Sequence, residues 1–492
     1  MRTNLFQPLA GETHLNSLRR SIAAANSFLP SDLSGLQLWL ESSPIAGYLF
    51  TATGGTGQAA HGNAVAHWKD RSSNARNVTE VTAKPALANT LAPTQPNGRA
   101  TLTFTAASAH RLAAAAAAPW KFLHDGTGCT GFVVYKQTNE NIGVLLDSGG
   151  YPGGSNTGLM LYADDSSTTE GRLALAIGKG SNIVNLSGPV AASNSFPAAV
   201  WHIARFSYIE SGTPAEALLF GDGCFYISGN TSAAPSSSNP TAALRIGLDI
   251  DGVSSNVLAF DGSVAAVILY NRVLTTAESR QVESYLSLGW TVPIGNVAVL
   301  GDSIMAGTDV TRIPATAIAN RLGPLWRASN FAVSGARVAT GSPQVSSSQW
   351  SDTGVGAKRR GYNVIVLLAG VNDLDNDYGA AATYADLANL YNDVLAEPNS
   401  RLVVCTVMPW KGNSAWTSGR EAQRITLNGS IRAFAAANAN THLVDLAAVM
   451  ADPADAEAMW APYVLDYLHP NQAGSDALAA AVADKLLAVG LG

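Results

Sequence analysis

Four short stretches near the C-terminus combine residue types suited to taking a proton from a hydroxyl beside a developing negative charge. Gly301-Asp302-Ser303 directly follows the apolar run Val297-Ala298-Val299-Leu300. A serine just past the carboxyl end of a buried strand stands in the open, with the N–H groups of a helix start nearby to favour an anion. Asp466-Tyr467-Leu468-His469 spaces a carboxylate and an imidazole so that one turn can set Asp466 behind a ring nitrogen. The other nitrogen then faces a nucleophile, and the carboxylate fixes the tautomer. Between them, Asn330-Phe331-Ala332-Val333-Ser334-Gly335 ends in a glycine whose backbone can approach a ligand and aim its N–H at it. Val364 to Leu368 leads through Ala369-Gly370-Val371 into Asn372-Asp373, where Asn372 can donate from its side-chain amide. Each stretch alone is weak, because Gly, Asp, Asn and Ser are common turn residues.

Their setting gives them weight. From Gly295 onward, strand-like runs at Val297 to Leu300, Val364 to Leu368, Leu402 to Val407 and His442 to Leu446 alternate with helix-like stretches. Those stretches are Thr311 to Leu322, Thr383 to Leu395, Ser418 to Asn438 and Ala473 to Val489. Such alternation predicts a parallel sheet flanked by helices, which gathers loop residues at the carboxyl ends of its strands.

Taken in order, G-D-S, G, G-x-N-D and D-x-x-H, each in an α/β pattern, resemble the SGNH (GDSL-type) hydrolase family. The resemblance spans residues 295–492 and implies a three-layer, flavodoxin-like α/β domain. It further implies that Ser303 is the nucleophile, His469 the general base and Asp466 the carboxylate that orients it. The oxyanion hole would be made by the N–H groups of Ser303 and Gly335 and by the Asn372 side chain. Ala332 stands where family members often carry another glycine. No metal or other cofactor is called for: turn and strand-end roles account for Asp302, Asp373, Asp375 and Asp377. Trp410, Trp416 and Tyr463 are candidate substrate contacts, because rigid amphipathic rings suit sugars. Trp460 is as readily a packing residue.

Residues 31–290 read differently. Short β-type runs (Gly131 to Tyr135, Ile142 to Leu146, Leu173 to Ile177, Trp201 to Tyr208, Val264 to Tyr270) are separated by turn clusters such as Gly149 to Gly154. Many short strands without a helical period predict an antiparallel β-sandwich. Thr275-Thr276-Ala277-Glu278 opens a closing helix that runs through Val282, Tyr285 and Leu286. The stretches Gly35 to Trp39, Trp68 to Asp70, Gly98 to Phe104, Leu244 to Gly247 and Phe260 to Leu274 make this part similar to laminin-G-like, concanavalin A-like jelly rolls. That resemblance implies a lectin-like fold. A passive spacer stays open as an alternative, and oxygen-rich turns are too common in this region for Asp249 or Asp251 to mark a calcium site. Trp290 to Ile294 forms a short linker. Ahead of the sandwich, in residues 1–30, Leu15, Leu18, Ile22, Ala25 and Leu29 share one face of a short helix that Thr13 could cap and Pro30 ends. It either packs on the next domain or serves in docking or oligomerisation.

Composition narrows the partners. The 492 residues are 47% hydrophobic and 13% charged, with a net charge of −6, which suits large cores and disfavours nucleic acid. No apolar run is long enough for a membrane span. Cys129, Cys224 and Cys405 stand far apart without metal or redox spacing. Met1 to Ala10 has no apolar signal core. The expected function is a serine esterase acting on a polysaccharide or other glycan, most simply by removing O-acetyl groups, with extracellular action and a place on a phage-like virion as the setting that fits it. Two alternatives remain: a receptor-binding spike or fibre with an idle hydrolase, and a general lipase or arylesterase.

Overall fold

The computed structural model describes residues 28–88, 98–138, 142–149, 157–164, 172–180, 183–187, 196, 198–210, 217–229, 234–249, 258–323, 326–351, 357–358, 362, 364–397 and 400–490. The expected N-terminal helix, apart from its last residues, lies outside these, as does Asp251.

Two antiparallel sheets form the sandwich. At the centre of the first, the strands His202–Tyr208, Cys129–Gln137 and Gly262–Tyr270 lie side by side. In the second, Ile183–Ser187, Arg172–Lys179, Thr157–Asp164 and Gly143–Asp147 follow one another as neighbours. Alternate residues of a strand face opposite sides. Val133 and Tyr135 therefore enter the core between the sheets, whereas Phe132 and Val134 face outward. The outward face is also covered, which explains why Phe132 to Tyr135 is an unbroken apolar run rather than an alternating one.

The cover is α1, Thr276–Trp290. Thr275 caps it by accepting from the Glu278 N–H at 3.2 Å, and the Glu278 carboxylate accepts in return from the Thr275 N–H at 2.9 Å. Val282, Leu286 and Trp290 are fully buried against Trp39, Phe132 and Ile268. A buried ion pair, Arg205 Nε to Glu283 Oε1 at 2.7 Å, fastens the helix to the sheet.

The chain then passes into a second architecture with little slack. The Val292 N–H donates to the Ser287 carbonyl at 3.2 Å, and the Ser287 hydroxyl donates to the Val292 carbonyl at 2.6 Å. Strand β1 (Gly295–Gly301) opens a parallel sheet with β2 (Trp326–Asn330), β3 (Val364–Leu368), β4 (Arg401–Cys405) and β5 (Thr441–Val444), in the order β2-β1-β3-β4-β5. Helices α2 (Ser303–Ala306), α3 (Pro314–Leu322), α4 (Val371–Asp375), α5 (Ala380–Ala396), α6 (Ser418–Ala437), α7 (Leu446–Val449) and α8 (Gln472–Ala488) complete it. The strand order reverses between β1 and β3, the place where open α/β sheets leave a crevice. Strands β1, β3 and β4 match expected apolar runs closely. β2 does not, because Trp326-Arg327-Ala328-Ser329-Asn330 forms a half-buried edge strand without an apolar pattern. From that edge, Arg327 reaches into the sandwich and donates to Asp222 Oδ2 at 3.2 Å. Cys129 and Cys405 are buried free thiols, and burial pushes Cys405 up to about 12.

Candidate active site

Ser303 begins α2 directly after β1, at the reversal point of the sheet. The preceding turn is tight. Gly301 has φ +148°, and a Cβ there would stand 2.2 Å from the Leu368 carbonyl oxygen, so only glycine lets β1 and β3 end this close together. Gln349, 2% exposed, brackets the same residue: its side-chain oxygen accepts from the Gly301 N–H and its amide donates to the Gly301 carbonyl, both at 2.7 Å. Asp302 caps the helix by accepting from the Ile304 N–H at 3.0 Å. Its other carboxyl oxygen is buried with no hydrogen-bond partner among the described residues. Burial pushes its pKa up to about 7, with nearby Asp373 adding to the rise while the Ile304 N–H and His469 oppose it. Ser303 itself is 7% exposed, and N–H groups of a helix's first turn have no partner within the helix.

His469 lies on a loop that is closed upon itself. The Leu465 N–H donates to the His469 carbonyl at 3.0 Å, and the Asn471 amide donates to the Pro462 carbonyl at 2.9 Å. The Asn471 side chain also caps α8 by accepting from the Gly474 N–H at 3.1 Å. Within the loop, Asp466 Oδ1 accepts from the backbone N–H groups of His469 at 2.7 Å and Leu468 at 3.0 Å. Its Oδ2 lies 2.8 Å from His469 Nδ1, and His469 Nε2 lies 2.8 Å from Ser303 Oγ. Partial burial works to raise the Asp466 pKa. The hydrogen bonds from the His469 ring and from the backbone N–H groups of His469 and Leu468 outweigh it and hold the carboxyl below its usual range. A charged Asp466 accepts a hydrogen bond from Nδ1–H, so the ring proton stays on Nδ1 and Nε2 is free to accept from the Ser303 hydroxyl. The side chains singled out as nucleophile, base and orienting carboxylate thus stand in one hydrogen-bonded line.

Gly335 and Asn372 follow β2 and β3, the strands on either side of β1. Gly335 has φ +77° and open space around it, so the backbone conformation rather than crowding calls for glycine. Its loop is latched at several points. The Val333 N–H donates to the Gly301 carbonyl at 3.1 Å, and the hydroxyls of Ser334 and Thr308 share a hydrogen bond at 2.8 Å. The Asn372 amide donates to the Ala336 carbonyl at 2.9 Å, which fixes that side chain against the Gly335 turn. Beneath it, the fully buried Asp373 accepts from the Val338 N–H at 3.2 Å, and burial pushes its pKa up to about 6. Asp375 and Asp377 pair with Arg420 at 2.8 and 3.0 Å.

The aromatic candidates divide. Trp410 is 1% exposed and lines a small apolar hollow behind the Ser303 turn with Ile304, Met408 and Leu468. It stands beneath the site rather than at an open entrance, because the domain core claims its ring. Trp416 and Tyr463 are partly buried against the same core. Tyr463 meets the more exposed Trp460 edge-on, with ring centroids 4.8 Å apart. Gln349 escaped sequence reading: it lies in the stretch Ser346-Ser347-Ser348-Gln349, whose pattern marks no role, and its partner Gly301 is distant in the chain.

The family model described as GDSL-like lipase/acylhydrolase matches residues 299–477. Among solved structures, the chain is similar to a GDSL-like lipase from Bacteroides thetaiotaomicron VPI-5482, at 19% identity, covering 40% of this chain and 89% of that one, with a TM-score of 0.32. It is also similar to the CBM40 module of the Ruminococcus gnavus IT-sialidase, at 21% identity, covering 33% of this chain and 84% of that one, with a TM-score of 0.26. Comparison with curated proteins gave no match. The matched stretch starts within β1, ends within α8 and contains Ser303, Gly335, Asn372, Asp466 and His469. Residues 299–477 form a domain of the GDSL-like lipase/acylhydrolase family.

Proposed function

We propose that this chain is a serine esterase that removes O-acetyl groups from a polysaccharide or other glycan. The observation that carries the reading is the line from Asp466 through His469 to Ser303, with 2.8 Å at both joints. Serine is a poor nucleophile at its free pKa. As Ser303 Oγ attacks the ester carbonyl, His469 Nε2 takes the hydroxyl proton, and Asp466 stabilises the imidazolium that results. Negative charge grows on the carbonyl oxygen, where the N–H groups of Ser303 and Gly335 and the Asn372 amide donate to it. His469 then gives the proton to the departing sugar hydroxyl. Water, deprotonated by the same ring, releases acetate and restores Ser303.

The β-sandwich is read as the part that holds glycan, and residues 1–30 as a contact to a virion or to further copies of the chain.

The test is release of free acid from O-acetylated glycans and from esters of increasing acyl length. Acetate is expected to leave fastest; a preference for long chains would favour a lipase or arylesterase instead. Ser303→Ala is expected to lower p-nitrophenyl acetate turnover by at least ~10³-fold with an unchanged circular dichroism spectrum. Full activity in that variant would remove Ser303 from the reaction.

A further inference from the structure

The loops that carry the site also carry much of the large apolar surface left open among the described residues: Val333, Trp460, Leu465 and Tyr467 are each at least 39% exposed. Tyr467 is unusual among them. It lies between Asp466 and His469, is 53% exposed, and has φ +68°, a backbone conformation that a bulky side chain rarely adopts. Its ring is nevertheless supported. Gly412, in the loop after β4, has φ +103°, and a Cβ there would come within 2.6 Å of the Tyr467 ring. Only a glycine lets the aromatic side chain rest on that backbone. The supporting loop is itself fastened: the Lys411 N–H donates to the Glu457 carbonyl at 3.0 Å. The Lys411 ammonium pairs with Asp455 at 2.8 Å and with Glu457 at 3.2 Å. The exposed ring therefore rests on the backbone of a loop that is itself held in place.

We propose that Tyr467 is a stacking platform for a saccharide unit of the substrate. This rests on the carbohydrate-esterase reading and names the residue that selects the sugar. A pyranose presents C–H groups on its faces and hydroxyls at its rim, and the C–H faces match a rigid aromatic face. Because Tyr467 shares its turn with His469, a sugar stacked there keeps its ester within reach of Ser303.

The experiment compares the wild-type chain with Tyr467→Gly and Tyr467→Phe on two substrates: an acetylated cello-oligosaccharide, and ethyl acetate, which carries the same acyl group and no ring. Glycine suits the backbone at 467, so the variant is expected to fold, and a melting curve checks that it has. In Tyr467→Gly, the ratio of kcat/KM for the saccharide ester to that for ethyl acetate is expected to fall about tenfold, mainly through KM, the equivalent of ~1.4 kcal/mol. Tyr467→Phe, which keeps the ring face, is expected to stay within about twofold of wild type. An unchanged ratio in the glycine variant overturns the platform, as does a phenylalanine variant that falls equally far. Wild-type protein that cleaves ethyl acetate and no acetylated saccharide overturns the platform together with the carbohydrate reading, and is told apart because no variant is needed to see it.

Discussion

Asp302 stands under the candidate nucleophile with one carboxyl oxygen satisfied and the other buried without a partner among the described residues. Burial raises its pKa from 3.8 to about 7. Between these values the folded chain keeps a proton that the unfolded chain has released. The contribution of this group to stability is thus fully present below about pH 4 and is lost as the pH rises through about 7. Asp302→Asn keeps an oxygen for the Ile304 N–H and never ionises. Melting curves from pH 4 to 8 are expected to show wild type losing more stability on the alkaline side than the variant, and parallel curves would refute the buried-proton account. The part of the site that was legible in sequence is the part encoded by near neighbours: Asp302-Ser303 shares one turn, and Asp466 and His469 share another. Gln349 was not legible, because what it holds, the Gly301 peptide, is close only after folding. Nor was Tyr467, since nothing about a tyrosine advertises a left-handed backbone.

The loop ends depend on how closely β1 and β3 approach. Gly301→Ala would place a methyl group 2.2 Å from the Leu368 carbonyl oxygen at a φ of +148°. The expected cost is about 2–4 kcal/mol in denaturant titration, with esterase activity falling as the Ser303 turn is displaced. The helices and central strands of this domain could be read from the chain because their apolar periods are long and clear. β2 could not, since it has a sheet neighbour on one side alone and little apolar surface to bury. The sandwich strands were readable for the opposite reason: α1 covers the outer face of one sheet, so Phe132 to Tyr135 is apolar throughout.

The two architectures meet at Asp222, which accepts from the Ile203 N–H at 2.8 Å, lies 2.8 Å from His202 Nδ1, and receives Arg327 from the edge of the hydrolase sheet at 3.2 Å. Arg327→Ala is expected to cost ~1–3 kcal/mol and to speed protease cleavage near residues 291–296. Unaltered cleavage would mean that the contact does not hold the halves together. This junction was not foreseeable from sequence, since it joins a turn of the sandwich to the strand that lacked an apolar signature. The covalent connection is just as stiff: Trp290 is fully buried at the end of α1, Val292 is tied back to Ser287, and β1 starts at Gly295. With no slack segment between them, α1 and β1 share one short backbone path, and the far end of β1 carries the Ser303 turn.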